Sequence, residues 1–579
     1  FAALTTGDLN TAVGFDSLEA NTTGEGNTAY GGIALNANTT GSRNVAVGLS
    51  ALDTNVSGSC NTAIGGCSLF KNTASNNTAL GFFSMACNTS GVCNTGLGQK
   101  SLTANTTGDQ NTAVGLQSMC KNTTGDNNVA VGLFALCANT SGSTNTAVGT
   151  SALKLNTTAD NNTAVGTSSL DANTTGASNV AVGVDALGAN TTGAANVSVG
   201  KEAMLANTTG ASNVAIGQDT MKANTTAAQN VAVGQNSLSA NTTGGNNTAL
   251  GRSALAANTT AANNTSLGHD SMVANTVGHS NTAVGQASLV ANTEADNGTA
   301  VGRNALTANT TGNNNTAIGS GSAAATTTGT GNVSVGQASF VTNTTGDSNV
   351  AIGRGTLYSN TTADEGTAVG LCALFTNTDG HSNTAVGAYA LLANSTGDKN
   401  VAVGIEALLT NTTACENVAV GRRAMRLNTT GTENVAIGTE ALDANTTATR
   451  STAVGYQALA ANTTGVGNTA VGWKALITAN GAATQNTAVG RSALGGLTTA
   501  AQNTAVGCDA LYSVTTGDQN TSLGNRAGDV TTTGANNTTI GYAADPSSNT
   551  ASNQVTLGNA SVSSIRSQVQ SISALSDRR

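Results

Sequence analysis

Proline is all but missing from this chain, with one residue in 579, and aromatic and charged residues are scarce at 3% and 9%. So few rings and charges exclude an ordinary globular core at this length, while a hydrophobic share of 38% is too high for a disordered chain. Small residues, 71 of them Gly, must instead pack in a regular lattice. Runs of Lys or Arg are also lacking and the formal charge of −9 is thinly spread, which argues against nucleic acid or an anionic membrane as partner. Nor is there an apolar run of about 18 residues, so no membrane insertion is expected. The amino terminus shows no charged and apolar leader, and Phe1 falls in the middle of a repeat, as expected of part of a longer product.

What the chain does have is self-similarity. A 17-residue unit, N-T-A-V-G-x-x-A-L-x-A-N-T-T-G-x-x, starts at Asn10, Asn27, Asn44 and Asn61, then at Asn77, Asn94 and Asn111, and onward to Asn537 and Gln554. The spacing shortens by one residue before Asn77, lengthens by one before Asn486, and otherwise holds. Where the leading Asn is replaced, at Gly298, Gly366, Ser451 and Gln554, the register survives, so spacing is stricter than residue type. A period this short excludes helical repeats, which need about 33 residues, and calls for stacked β coils that bury their apolar side on each other. The fold class expected is all-β, a repetitive parallel β-roll or β-solenoid.

Within each coil, positions two to four read as a short strand. Val45 and Val47 share one face by the period of two. The third position, small at Ala12, Gly96 and Ser266, faces the other way, where another backbone approaches closely. Position nine carries the bulky core filler, beginning with Leu18, Leu35, Leu52, Leu69 and Met85 and lapsing at Ala323, Gly528 and Asp545. Burying each such side chain is worth roughly 1.5–3 kcal/mol before entropy is subtracted. Gly14 and its equivalents predict a turn at positive φ, and Asn21-Thr22-Thr23-Gly24 predicts a second turn. Asn and Thr side chains in register predict hydrogen-bonded ladders along the axis. At about 4.8 Å per coil, the array predicts a rod on the order of 160 Å long.

Few residues recur in a pattern that could do chemistry. His269, His279 and His381 occupy the variable sixth and sixteenth positions with no recurring carboxylate cluster beside them, and no metal or other cofactor is expected. Lys201, Glu202, Arg252, Arg303, Arg422 and Arg423 read as solvated loop tips. No nucleophile, base and orienting group recur as columns, which points away from an enzyme. Among nine Cys residues, Cys120 and Cys137 share the tenth position of adjacent coils, where either a disulfide or a column of free thiols fits. Asn21, Asn38 and Asn105 head formal N-glycosylation acceptors, although a plain Asn-Thr-Thr turn is the simpler reading.

The carboxyl-terminal end differs. After Gly541 the pattern loosens at Asp545-Pro546-Ser547 and returns once as Gln554-Val555-Thr556-Leu557-Gly558. The expected organisation is a repeat shaft over 1–541, a last degenerate coil and cap over 542–561, and the start of a coiled coil over 562–579. Val562, Ile565, Val569 and Ile572 keep the three-four-three spacing of a coiled-coil seam, and β-branched residues there favour three or more chains. The five residues N-T-A-V-G with the following x-x-A-L resemble the head repeat of YadA-type trimeric autotransporter adhesins, which implies a left-handed parallel β-roll with three chains side by side. The segment QVTLGNASVSSIRSQVQSISALSDRR, Gln554 to Arg579, resembles the lead into the endosialidase-type intramolecular chaperone of phage tail fibres and tailspikes. That resemblance implies a chaperone that drives trimerisation and then cleaves itself off at a Ser-Asp step, here matched by Ser576-Asp577. The lysine partner of Ser576 would fall beyond Arg579.

Together these readings predict the structural shaft of an extracellular fibre, a homotrimer on a virion surface that attaches to a host-cell receptor or glycan through a tip not identified here. The alternative is a trimeric cell-surface adhesin or extracellular filament protein. An ice-binding β-solenoid, with Thr22, Thr39 and Thr106 in a flat ladder, ranks lower.

Overall fold

A computed structural model describes residues 3–566, which fall into two compact units, Phe1–Thr311 and Gly312–Arg579. Each unit is a parallel β-solenoid. The first holds eighteen three-residue strands, from β1 (Thr11–Val13) to β18 (Thr299–Val301), and the second fifteen, from β19 (Thr316–Ile318) to β33 (Val555–Leu557). Within each unit every strand pairs with the next in parallel and like position on like position, as in Val45↔Thr62, Ala46↔Ala63 and Val47↔Ile64. No helix occurs among the described residues.

Thr or Val at position two and Val, Ile or Leu at position four hold the backbone extended, because β-branched and bulky side chains favour the pleat. The strand stops at Gly. Gly14 and Gly251 have φ of 137° and 136°, and a Cβ at either would strike the carbonyl of the same Gly one coil on. The expected positive-φ turn is therefore present, and two constraints reserve it for glycine.

The inside of the coil is thin. Ala29, Ala46 and Ala63 at position three point inward and are fully buried, as are Leu18, Leu35 and Leu52 at position nine. Backbone does approach position three. Where Ser stands there, Ser198 and Ser266 donate their hydroxyls to the position-eight carbonyls of Ala203 and Ser271 at 2.8 and 3.0 Å. An alanine-sized residue is what the gap admits, so the larger strand side chains at positions two and four point out.

The return path holds a feature that composition does not announce. Positions seven, nine and seventeen take left-handed backbone in coil after coil, at φ of 51° for Asp16, 53° for Leu18 and 58° for Arg43. For non-glycine residues this costs roughly 1–2 kcal/mol apiece. It is offset by hydrogen bonds to both neighbouring coils: Leu18 N–H donates forward to Ala34 O at 3.0 Å, and Ile33 N–H donates back to Phe15 O at 2.7 Å.

Two buried amide ladders run along the axis. At position twelve, Asn38 Nδ2 donates to Asn21 Oδ1 at 2.8 Å and to Gly41 O at 2.9 Å. At position one, Asn44 Nδ2 donates to Asn27 Oδ1 and Gly58 O at 3.1 and 2.9 Å. The Thr column differs from the expected side-chain ladder, since Thr22 Oγ1 donates to the backbone carbonyl of Thr39 at 3.0 Å. The two irregular coils take up their length change in the second turn, around Asn72–Ala74 and Ala479–Ala483, so that Thr62↔Thr78 and Thr469↔Thr487 stay in register. The amide ladder is interrupted at both places, where Asn55 Oδ1 and Asn462 Oδ1 are buried without a partner.

The degenerate last coil still stacks, with β33 paired in register to β32 (Thr538–Ile540). Beyond it Val562 and Ile565 are 48% and 64% exposed on irregular backbone. Val569, Ile572 and Ser576 lie outside the described residues.

Candidate functional site

Each coil presents three outer surfaces. The first is the strand face, made by positions two and four. None of the strands carries a charged residue; position two is always Thr or Val, and position four always Val, Ile, Leu or Tyr. These side chains stand half out of the coil, with Ile216, Leu250 and Ile437 at 40%, 39% and 41% exposure. An apolar column at position four beside a β-branched Thr or Val column at position two is what another sheet face would pack against.

The second surface is the flank, formed by positions six, seven and ten. Twelve of the fifteen aromatic residues sit in these three columns, among them Tyr456 and Trp473 at position six and Tyr512 at position ten. Tyr358 and Phe375, at position ten of successive coils, stack with ring centroids 5.0 Å apart. With Arg354, Cys372 and Tyr389 they line a cavity of about 350 Å3, opened by the missing side chain at Gly355. A second cavity of about 560 Å3 is lined by Arg491, Asp509, Tyr512, Arg526 and Asp529. Its charges are already paired, Arg491 with Asp509 at 2.6 Å and Arg526 with Asp529 at 2.7 Å.

Flank charges read as solvated loop tips are also paired. Lys201 lies 3.2 Å from its sequence neighbour Glu202, while Arg422 lies 3.0 Å from Glu440 and Arg423 2.8 Å from Glu406 because residues about a repeat apart in sequence are neighbours in space. Arg252 and Arg303 are exposed. Hydrogen bonds donated to Glu202 and then to Asp219 hold the Lys222 ammonium above its ordinary pKa, and the bond from Lys222 holds the Glu202 carboxyl below its own.

The third surface is the second turn, positions twelve to seventeen. Asn21, Asn38 and Asn105 are fully buried. Asn105 Nδ2 spends both hydrogens, on Asn88 Oδ1 at 2.7 Å and Gly108 O at 2.9 Å, and Asn21 Nδ2 donates to Gly24 O at 3.0 Å. The folded turn encloses these nitrogens and uses them in hydrogen bonds, as a plain Asn-Thr-Thr turn does.

Position sixteen acts as an acceptor column. Asp109 Oδ1 accepts the Val92 N–H at 2.8 Å, and His279 Nδ1 and His381 Nδ1 do the same for Ala262 and Asp364 at 3.0 Å. His381 is not as isolated as its sequence surroundings imply, since Asp364 and Asp379 carboxylates lie 3.8 and 3.6 Å from its ring nitrogens. His269, on the flank, pairs with Asp270 at 3.2 Å. Among the described residues no group of three or more His, Cys, Asp or Glu is arranged to hold a metal ion.

Cys120 and Cys137 stack at position ten as free, half-exposed thiols. Cys120 Sγ donates to the Cys137 carbonyl at 3.5 Å. The hydrogen bond from the Cys120 thiol, and then the Lys121 and Lys154 cations, bring the Cys137 thiol down to about 7 against the opposing effect of burial. The same hydrogen bond and burial push Cys120 up.

Sequence reasoning located the strand but not the significance of its outward side chains; the signal was the complete absence of charge at positions two and four. No helix among the described residues is long and apolar enough to cross a membrane. No protein-family model matches the chain, and no curated protein matches it.

Proposed function

We propose that this chain is the non-catalytic shaft of an extracellular fibre, in which three copies pack side by side through their strand faces. The observation that carries this reading is the uncharged, half-exposed strand face, repeated without exception in both units. Closed three-fold packing would cover that face on every chain and leave the flank and the second turn to solvent. The likeness of N-T-A-V-G-x-x-A-L to the head repeats of trimeric autotransporter adhesins supports the same arrangement. The likeness of the last residues to the lead into a phage fibre chaperone favours a viral tail fibre, which displays a receptor- or glycan-binding tip away from the particle. A cell-surface adhesin or filament is supported by the repeat likeness alone. Ice binding is the weakest reading, because the Thr22 hydroxyl is turned to a neighbouring carbonyl and is not held in a free flat array.

Light scattering on the native particle tests this directly against the 56.4 kDa chain mass. Three chains per particle is the expected result, and a monodisperse single chain overturns the proposal.

A further inference from the structure

Position ten of four successive coils reads Cys120, Cys137, Lys154 and Asp171, with Lys121 beside the first thiol. The Cys137 carbonyl accepts both the Lys121 N–H at 3.0 Å and the Cys120 thiol at 3.5 Å, so the Cys120 side chain leans towards the next coil. Stacked coils put equivalent Cα atoms about 4.8 Å apart, inside the roughly 4.4–6.8 Å that a disulfide spans. None of the other seven cysteines has a cysteine at the same position of an adjacent coil; Cys60 and Cys93, which share position seventeen, are separated by Asn76. Lys154 Nζ lies 5.9 Å from the Phe134 ring centroid, which holds a cation on the same flank as the thiols.

We propose that Cys120 and Cys137 form a peroxide-reactive dithiol that closes to a disulfide along the solenoid axis and staples two adjacent coils. The Cys137 thiolate attacks one oxygen of hydrogen peroxide, breaking the O–O bond, forming a sulfenic acid and releasing hydroxide. Cys120 gives up its proton to that hydroxide, and its sulfur attacks the sulfenic sulfur, forming the S–S bond and expelling the second oxygen as water once protonated. The two sulfurs together lose two electrons and the peroxide gains them. The roles are unequal: the Cys120 thiol hydrogen is already engaged with the Cys137 carbonyl, and the Lys121 and Lys154 cations favour the thiolate on Cys137. The staple is independent of the fibre reading, since it lies within one chain.

The test exposes the full chain to dilute hydrogen peroxide, alkylates remaining thiols in denaturant and maps peptides by mass without reduction. Cys120 linked to Cys137 within one chain, with the other seven of the nine cysteines alkylated, is the expected result. In the Cys120→Ser chain, Cys137 stops at a sulfenic acid that dimedone traps. In the untreated chain, alkylation of Cys137 by iodoacetamide rises with a midpoint near pH 7, a readout that needs no variant. Nine alkylated cysteines after peroxide, a link to any other cysteine, or a link only between chains overturns the proposal.

Discussion

The strand face and the flank of this solenoid are equally open within one chain, yet they are composed by opposite rules. Leu250 and Ile437 on the strand face are 39% and 41% exposed, and Tyr456 and Trp473 on the flank 43% and 46%. Position six accepts Phe15, Lys201, His269 and Trp473 alike, whereas position four never departs from an apolar or Tyr side chain. Repetition inside the coil has an internal cause, because the Leu column and the Asn ladders must fit their neighbours coil by coil. The outward strand side chains need only favour an extended backbone, and a Lys there would leave the backbone ladder whole. The flank shows what a solvated column looks like when nothing constrains it. On the proposed three-chain packing, the strand face is constrained from outside the chain.

The largest effect is expected from breaking that outer constraint. Lys at position four of every coil from Leu80 to Ile216 should abolish three-chain assembly, read as particle mass, while Lys at position six of the same coils, from Phe82 to Gln218, should leave it intact. A smaller and local effect should follow inside. Asn241→Ala removes hydrogen bonds of 3.0 Å to Asn224 Oδ1 and 3.0 Å to Gly244 O, and it takes from the Asn258 amide one of its two acceptors, the 2.9 Å bond to Asn241. The expected cost is about 1–3 kcal/mol in denaturant unfolding. By contrast Gln235→Ala on the flank should stay within about 0.5 kcal/mol. The smallest effect belongs to flank ion pairs: Arg426→Ala, which loses the two-pronged contact with Asp443 at 2.9 and 3.0 Å, should change stability by no more than about 1 kcal/mol.

Much of the coil was legible before any coordinates. The strict period placed each strand, the Leu column marked the core, and the recurring Asn residues announced ladders, because stacking forces identical residues to meet. Left-handed backbone at positions seven and nine was not legible, since Leu18 does not favour it and the Asp at position seven, which tolerates it, gives way to Ile33, Phe83 and Lys100 in other coils. A faint signal existed in the glycines that replace them in a few coils, Gly321, Gly355 and Gly528, each at positive φ. Flank pairs such as Arg423 with Glu406 were hidden for a different reason: the side chains vary, and only the register brings them together. The burial of Asn21 was missed because an exposed Asn-Thr-Thr turn and a buried one share the same letters.

Hydroxyl-radical footprinting of the native particle compares the two surfaces in one experiment. If the strand face is the contact between chains, Leu250 and Ile437 are protected while Tyr456 and Trp473 are oxidised as their exposure dictates. Oxidation of the strand-face residues in full proportion to their exposure in the single chain would contradict the account.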